Sequence, residues 1–158
     1  MGYTTEFEGS FKIDQPVDNE TAILLKGLAN TRRMKRNIKG YGIDGEFYIE
    51  GEDVLYGEGK NKDLTIVDYN TPPSTQPGLW CQWELQDDNQ TIMWDGAEKF
   101  YNYVEWIEYI IKSILEPRGY IVNGEVKWFG EDRHDNGKII IKNNIVNKKE
   151  GKITYHKK

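Results

Sequence analysis

Alternating apolar and polar residues at the start of the chain predict a β-strand with one buried face. Phe7, Phe11 and Ile13 occupy odd positions among polar residues, and successive side chains of a strand point to opposite faces of a sheet. The segment Asp14-Gln15-Pro16 then ends the strand, because proline lacks the backbone donor that a ladder needs.

A helix is predicted next, over about residues 18–35. Asp18 is a good N-cap residue, and six apolar residues follow with the spacing of one helix face: Ala22, Ile23, Leu24, Leu25, Leu28 and Ala29. This places the basic segment after Thr31 in the last turn of the helix or just beyond it.

The middle of the chain, from Gly40 to Gly78, is rich in Gly, Asp and Asn and predicts loops. Short strand-like runs occur at residues 46–50 and 64–68, and residues 51–62 are expected to form a variable loop. Prolines at positions 72, 73 and 77 favour an extended, pre-ordered segment rather than a domain boundary.

A β-hairpin and a second helix are predicted after Gly78. The apolar runs 79–85 and 91–94 flank a polar turn at residues 87–90. Asp95 and Glu98 have the spacing of a capping box, and apolar residues with helical spacing continue until Pro117 ends the helix.

The last third of the chain is dominated by predicted strands. Residues 120–131 read as a strand pair or as one long strand interrupted at Asn123-Gly124, and further strands are expected at 138–142, 145–146 and 153–155. The sequence therefore predicts an α+β fold in a single domain, residues 1–158. It has an antiparallel sheet of about five to seven strands, two helices packed on one face, and a partly frayed tail at 148–158.

Composition limits the environment and the partners. The 158 residues carry a formal charge of −5, so binding to duplex nucleic acid is not expected. No apolar run is long enough to cross a membrane, and the single cysteine, Cys81, excludes an internal disulfide and a cysteine-based zinc site. These features predict a cytoplasmic protein, and an aromatic content of 13% is compatible with a homodimer.

A basic cluster in this acidic chain is the first candidate site. It comprises Arg32, Arg33, Lys35 and Arg36. Cations at a helix C-terminus are stabilised by the helix dipole, or they pair with the many carboxylates of the chain. Two adjacent arginines also favour recognition of phosphate or carboxylate, which their planar guanidinium groups bind in a bidentate manner.

The Trp-rich segment is the second candidate site. Alternation along the predicted strand places Trp83 on one face, and Trp80 and Gln82 on the other. An exposed tryptophan beside an amide group is suited to stacking on a nucleotide base or to anchoring a protein interface. The alternative is that helices, loops or a second subunit cover both faces.

Enzymatic chemistry finds little support in the sequence. Asp95 and Glu98 are explained by helix capping, and residues 131–137 by a hairpin turn rather than a calcium loop, because Arg133 and His134 interrupt the pattern. Cys81 with His134 or His156 would form a nucleophilic pair only if the fold joined them. Nucleotide-loop, Ser-nucleophile and zinc-protease motifs are absent, so no catalytic residue, cofactor or metal ion is expected.

Five segments resemble a family of small proteins from bacteria and their phages that has no assigned activity: residues 31–36, 69–73, 76–83, 94–101 and 123–126. The resemblance covers nearly the whole chain, and family members vary in length at residues 51–62. It implies a bacterial or phage origin and no particular substrate.

The leading expectation is therefore a non-enzymatic binding module for an anionic small molecule, such as a nucleotide. The cluster Arg32–Arg36 would bind phosphate, and Trp80, Gln82 or Trp83 would contact a base. In the cytoplasm of a phage-infected host this would sequester a signalling nucleotide as an anti-defence activity. The alternatives are a module that binds or inhibits a host protein and, least supported, a small hydrolase.

Overall fold

The computed structural model describes residues 3–31, 33, 35–36, 66–68 and 70–151. In this part of the chain a six-stranded antiparallel sheet has the strand order β4-β5-β1-β6-β7-β8. The strands are β1 (Thr5–Ile13), β4 (Trp83–Leu85), β5 (Thr91–Trp94), β6 (Val122–Gly130), β7 (Asn136–Lys142) and β8 (Ile145–Glu150). Two further short strands, β2 (Lys35–Arg36) and β3 (Ile66–Asp68), pair with each other. The predicted α+β fold is confirmed.

The first strand lies in the middle of the sheet, between β5 and β6. It pairs with β6 along its whole length, from Thr5 opposite Gly130 to Ile13 opposite Val122. The predicted break at Asn123-Gly124 does not occur, because β6 continues through both residues as one strand. The predicted hairpin of β4 and β5 is confirmed, as is the turn that joins β7 to β8. The turn between β6 and β7 is shorter than the predicted stretch 131–137, because Asn136 and Gly137 already pair with β6 as part of β7.

The first helix, α1, spans Asn19–Asn30 and begins as predicted. The backbone N–H of Thr21 donates to the Asp18 carboxylate at 2.7 Å, which satisfies one of the free donors of the first turn. The predicted end near residue 35 is wrong. Thr31 adopts an extended backbone, so the described basic residues lie beyond the helix and the helix dipole does not account for them.

The second helix starts later than predicted. It begins as α2 (Tyr103–Tyr109), widens into a π-helix over Ile110–Leu115 and tightens into a 3-10 turn over Glu116–Arg118. Asp95 is not its cap, because its carboxylate instead accepts the backbone N–H of Ala97 at 2.8 Å within a loop. Left-handed backbone at Lys99 and Asn102 keeps this loop out of the helix.

The core lies between the helices and one face of the sheet. Its centre is an aromatic cluster in which Phe7 contacts Trp83, Phe100 and Tyr103 with ring centroids 5.4, 5.7 and 5.0 Å apart. Edge-to-face contacts at such distances stabilise the core beyond simple burial. Burial of Phe100 in this cluster explains why the preceding residues form a loop instead of the first turn of the helix.

Candidate functional site

The basic cluster does not form one exposed phosphate site in the described residues. Arg33 is 2% exposed, and its Nε donates to the Oε1 of Gln76 at 3.0 Å. The Nε2 of Gln76 in turn donates to the hydroxyl of Tyr109 at 3.2 Å. Arg33 is thus a buried polar residue that links the segment after α1 to the second helix.

Two other members of the cluster lie in a short strand. Lys35 and Arg36 form strand β2, where they lie opposite Asp68 and Ile66 of β3. Arg32 lies outside the described residues. The structure therefore brings Lys35 and Arg36 into a small sheet of their own and leaves Arg33 inside the protein.

A backbone contact joins the two predicted site segments. The N–H of Arg33 donates to the carbonyl oxygen of Leu79 at 2.8 Å. Because Leu79 is adjacent to Trp80, the chain that carries the basic cluster runs directly beside the Trp-rich segment. The two candidate sites, which are more than 40 residues apart in the sequence, are neighbours in the fold.

The predicted alternation separates the two tryptophans of this segment. Trp83 is 2% exposed and donates its indole N–H to the carbonyl of Tyr103 at 2.8 Å, so it belongs to the core. Trp80 is 36% exposed. Only Trp80 of the two therefore offers a ring surface to a ligand.

Trp80 lies between two adjoining clefts. The first, of about 380 Å³, is lined by Gly78, Leu79, Trp80, Gln82, Glu98, Lys99, Tyr101 and Asn102. The second, of about 460 Å³, is lined by Ala29, Asn30, Trp80, Cys81, Gln82, Asp95, Ala97 and Glu98. Volumes of this size are in the range of side-chain and small-molecule pockets.

Gln82 holds the wall of both clefts instead of presenting a free amide. Its Nε2 donates to the carbonyl of Glu98 at 3.0 Å, and its Oε1 accepts the indole N–H of Trp94 at 3.3 Å. The same indole N–H also points to the carbonyl of Ala97 at 3.1 Å. Gln82 and Trp94 therefore fix the 95–98 loop against the Trp-rich segment, and only 8% of the surface of Gln82 is exposed for contact with a ligand.

Carboxylates define the charge of the second cleft. Asp95 and Glu98 both line it, and no lysine or arginine is among its described lining residues. Burial raises the pKa of Asp95, and the nearby negative charge of Glu84 raises it further. The hydrogen bond from the Ala97 N–H lowers this pKa, but it does not cancel the other two effects. A positive charge placed in the cleft would stabilise the ionised form of Asp95.

The 95–102 loop was not predicted as part of the site. The capping-box pattern gave Asp95 and Glu98 a purely structural explanation, and Lys99, Tyr101 and Asn102 carried no recognisable motif. The available signal was Gly96 between the Trp-rich hairpin and the helix, since glycine favours a turn where a capped helix was expected.

The remaining candidates for chemistry have structural roles. Cys81 is 1% exposed, and burial raises the pKa of its thiol to about 12, so the reactive thiolate is not formed at neutral pH. Asp135 in the β6–β7 turn accepts the indole N–H of Trp128 at 2.9 Å and the hydroxyl of Tyr3 at 2.8 Å. Among the described residues there is no group of histidine, cysteine and acidic side chains that would hold a metal ion.

Comparison of the chain with protein-family models, with curated proteins and with solved structures finds no match. Within the described ranges, none of the helices has the length and apolar character required to span a bilayer. Functional inference therefore rests on the geometry of the molecule itself.

Proposed function

We propose that the protein is a non-enzymatic binding module for a partner protein, and that it takes a basic side chain of that partner beside Trp80. The observation that carries this proposal is the second cleft. It combines a partly exposed indole ring with the carboxylates of Asp95 and Glu98, without a described basic residue in its lining.

The chemistry of an arginine side chain matches this arrangement. A guanidinium group stacks on the face of a tryptophan and is attracted by the ring electrons. Its edge donates paired hydrogen bonds to carboxylates. Tyr101 extends the contact surface, because it is 52% exposed and lines the first cleft. Tyrosine is one of the residues that anchor protein interfaces.

The test is affinity capture from a bacterial host lysate, followed by titration of the captured partner. The wild-type protein is expected to retain a stoichiometric partner. Trp80→Ala and the double variant Asp95→Asn/Glu98→Gln should each weaken binding by about tenfold or more. Ile23→Ala is the control, because Ile23 is a large apolar residue that is exposed on α1 but lines neither cleft.

A direct probe tests the cleft without knowledge of the partner. N-acetyl-arginine amide should shift the indole N–H resonance of Trp80 in a titration followed by NMR, and the neutral analogue N-acetyl-citrulline amide should not. Equal shifts with both compounds, or a response that survives Asp95→Asn/Glu98→Gln, would reject the cationic ligand.

A second candidate is the binding of an anionic nucleotide, and one contact favours it. The bond from the Arg33 N–H to the Leu79 carbonyl brings the basic segment beside Trp80, and Lys99 lines the first cleft. Calorimetric titration with cyclic and linear nucleotides separates the candidates. Heat that disappears in both Trp80→Ala and Lys99→Ala would support the nucleotide, whereas absence of heat with every nucleotide would exclude it.

A further inference from the structure

The face of the six-stranded sheet that lies opposite the helices has no covering element among the described residues. Side chains alternate along each strand, so the neighbours of the buried residues point to this face. Most of these side chains are polar. Three large apolar side chains are nevertheless exposed on this face: Met93 (39%), Phe129 (43%) and Ile145 (65%). We call this surface the open face.

The open face divides into two halves of opposite charge along the boundary between β1 and β6. Strands β4, β5 and β1 contribute three carboxylates and one lysine: Glu6, Glu8, Glu84 and Lys12. Strands β6, β7 and β8 contribute four lysines and one carboxylate: Lys127, Lys138, Lys142, Lys149 and Glu125. The first half is therefore acidic and the second basic.

The basic half contains a row of lysines in direct cross-strand register. Lys127 lies opposite Lys138, and Lys138 lies opposite Lys149. Like charges that face each other across a sheet are destabilising. Glu8 of β1 lies opposite Lys127 at the end of this row, and the Lys138 Nζ lies 3.5 Å from a Glu125 carboxylate oxygen, but exposed pairs of this kind offset only part of the repulsion. A negatively charged surface placed over the row would stabilise it.

We infer that the open face binds a second copy of this chain, with the basic half of each copy over the acidic half of the other. A two-fold axis along the β1–β6 boundary produces this arrangement, because it exchanges β1 with β6, β5 with β7 and β4 with β8. Such an interface is isologous: each contact occurs twice. A polyanion would match the basic half alone and would be repelled by the acidic half and by the net charge of −5.

The strand register also brings one pair of apolar residues together across the interface, whereas the same axis places Phe129 over Glu6 of the other copy. Phe11 pairs with Ile92, which places Met93 in the same row as Ser10. Ser10 pairs with Glu125, and Glu125 pairs with Ile140. Met93 and Ile140 are thus in one row, each one strand away from a boundary strand, so the two-fold axis brings Ile140 of one copy over Met93 of the other.

The size of the open face is sufficient for a stable dimer. Six strands at about 4.8 Å spacing and about seven residues at 3.3 Å give on the order of 600 Å² per copy. Stable, specific interfaces bury about 1,200–2,000 Å² in total, so two such faces correspond to the lower end of this range, and face-to-face packing of two sheets is a common arrangement in proteins.

Sedimentation equilibrium of the wild-type chain at low ionic strength is the primary test, and a concentration-dependent dimer that weakens with added salt is expected. The axis places Glu8 of one copy beside Lys127 of the other. Lys127→Glu or Glu8→Lys alone should raise the dimer dissociation constant by about a hundredfold or more, because like charges then meet at two symmetric positions.

Mixing the two single variants provides the decisive measurement. The Lys127→Glu and Glu8→Lys chains should form a heterodimer with each other, because opposite charges then meet across the interface. The contacts within each chain are the same in the mixture as in the separate variants, so they cannot explain the recovery. The pair Lys112→Glu and Glu108→Lys, exposed on the second helix, is the matched control and should leave dimerisation unchanged in each variant and in the mixture.

Three outcomes would overturn the inference. The first is a wild-type chain that stays monomeric at low salt, including one whose open face binds an oligothymidylate probe instead. The second is a dimer that both single variants preserve. The third is a mixture, folded by circular dichroism, that does not recover the dimer.

Discussion

The buried guanidinium of Arg33 joins two parts of the protein that are distant in sequence. Its bond to Gln76, and that of Gln76 to Tyr109, connect the segment after α1, the proline-containing loop and the second helix. A buried guanidinium that donates to a buried amide fixes the relative position of the groups around it, and removal of one member leaves the others poorly solvated.

Replacement of Arg33 by alanine should lower the free energy of unfolding by about 2–4 kcal/mol, because Gln76 loses its partner inside the protein. Urea unfolding measures this loss. Gln76→Ala should reduce stability too, and the double variant should cost clearly less than the sum of the two single changes. Arg118→Ala is the control, since its 3.9 Å ion pair with Glu20 is worth about 1 kcal/mol or less. Equal losses for Arg33 and Arg118 would contradict the structural role.

At the scale of the elements, close contact between β1 and β6 depends on glycine. A Cβ atom at Gly124 would lie 2.6 Å from the carbonyl oxygen of Ser10 and 2.8 Å from the Cα of Phe11, and the φ angle of Gly124 is +146°. Side chains other than hydrogen are thus excluded by both space and backbone geometry. The glycine that reads as a strand break in the sequence is what lets the two central strands approach.

Gly124→Ala should therefore cost about 3 kcal/mol of unfolding free energy, combining steric overlap with backbone strain. Gly96→Ala separates the two contributions. Its φ angle is +87°, but nothing lies within 4 Å of the added Cβ atom, so only strain of about 1 kcal/mol is expected. Thermal or urea unfolding of both variants tests the difference, and a loss at position 124 no larger than at position 96 would show that the strands can separate to accept a side chain.

Local signals predicted the elements well where they act within a few residues. The cap at Asp18, the turn after Asp88 and the alternation of β1 all appear in the structure. Element ends set by distant contacts were not predictable. Helix α1 stops at Asn30 because Arg33 bonds to Leu79, and α2 starts late because Phe100 packs on Phe7 and Trp83.

At the scale of the whole molecule, the two proposed binding surfaces are separate. The clefts around Trp80 are lined by residues from the end of α1, the Trp-rich segment and the 95–102 loop, whereas the open face is formed by side chains of the six strands, such as Glu8 and Lys127. Neither was predictable as an assembled surface. Trp80 was identified from alternation, but its neighbours Asp95 and Glu98 became part of the site only through the loop that Gln82 and Trp94 hold.

The free energy of unfolding should fall at acid pH, because protonation weakens the hydrogen bonds that two carboxylates accept. Bonds from the Thr91 hydroxyl and from the backbone N–H groups of Gln90 and Thr91 lower the pKa of Asp88 to about 2, and the N–H of Thr21 lowers the pKa of Asp18. Because the folded-state pKa lies below the unfolded value near 4, this stabilisation is present above about pH 4. It is lost as the pH falls toward 2.

The unfolding midpoint measured between pH 7 and pH 2 should therefore drop most steeply below about pH 4. In Asp88→Ala the drop should be shallower than in the wild-type protein. Asp87→Ala, one residue away in the same turn, is the matched control and should retain the wild-type slope. Identical slopes in all three proteins would mean that Asp88 does not contribute to the acid sensitivity.

The central position of β1 has a consequence for how the protein acquires its fold. The strand nearest the start of the chain pairs with β5 and β6, which lie about 80 and 120 residues further on. A growing chain therefore emerges with the apolar side chains of β1 exposed until β6 has been synthesised. Folding that waits for such distant pairing is slow and vulnerable to aggregation, so this protein should depend on chaperones during synthesis more than its modest size would indicate.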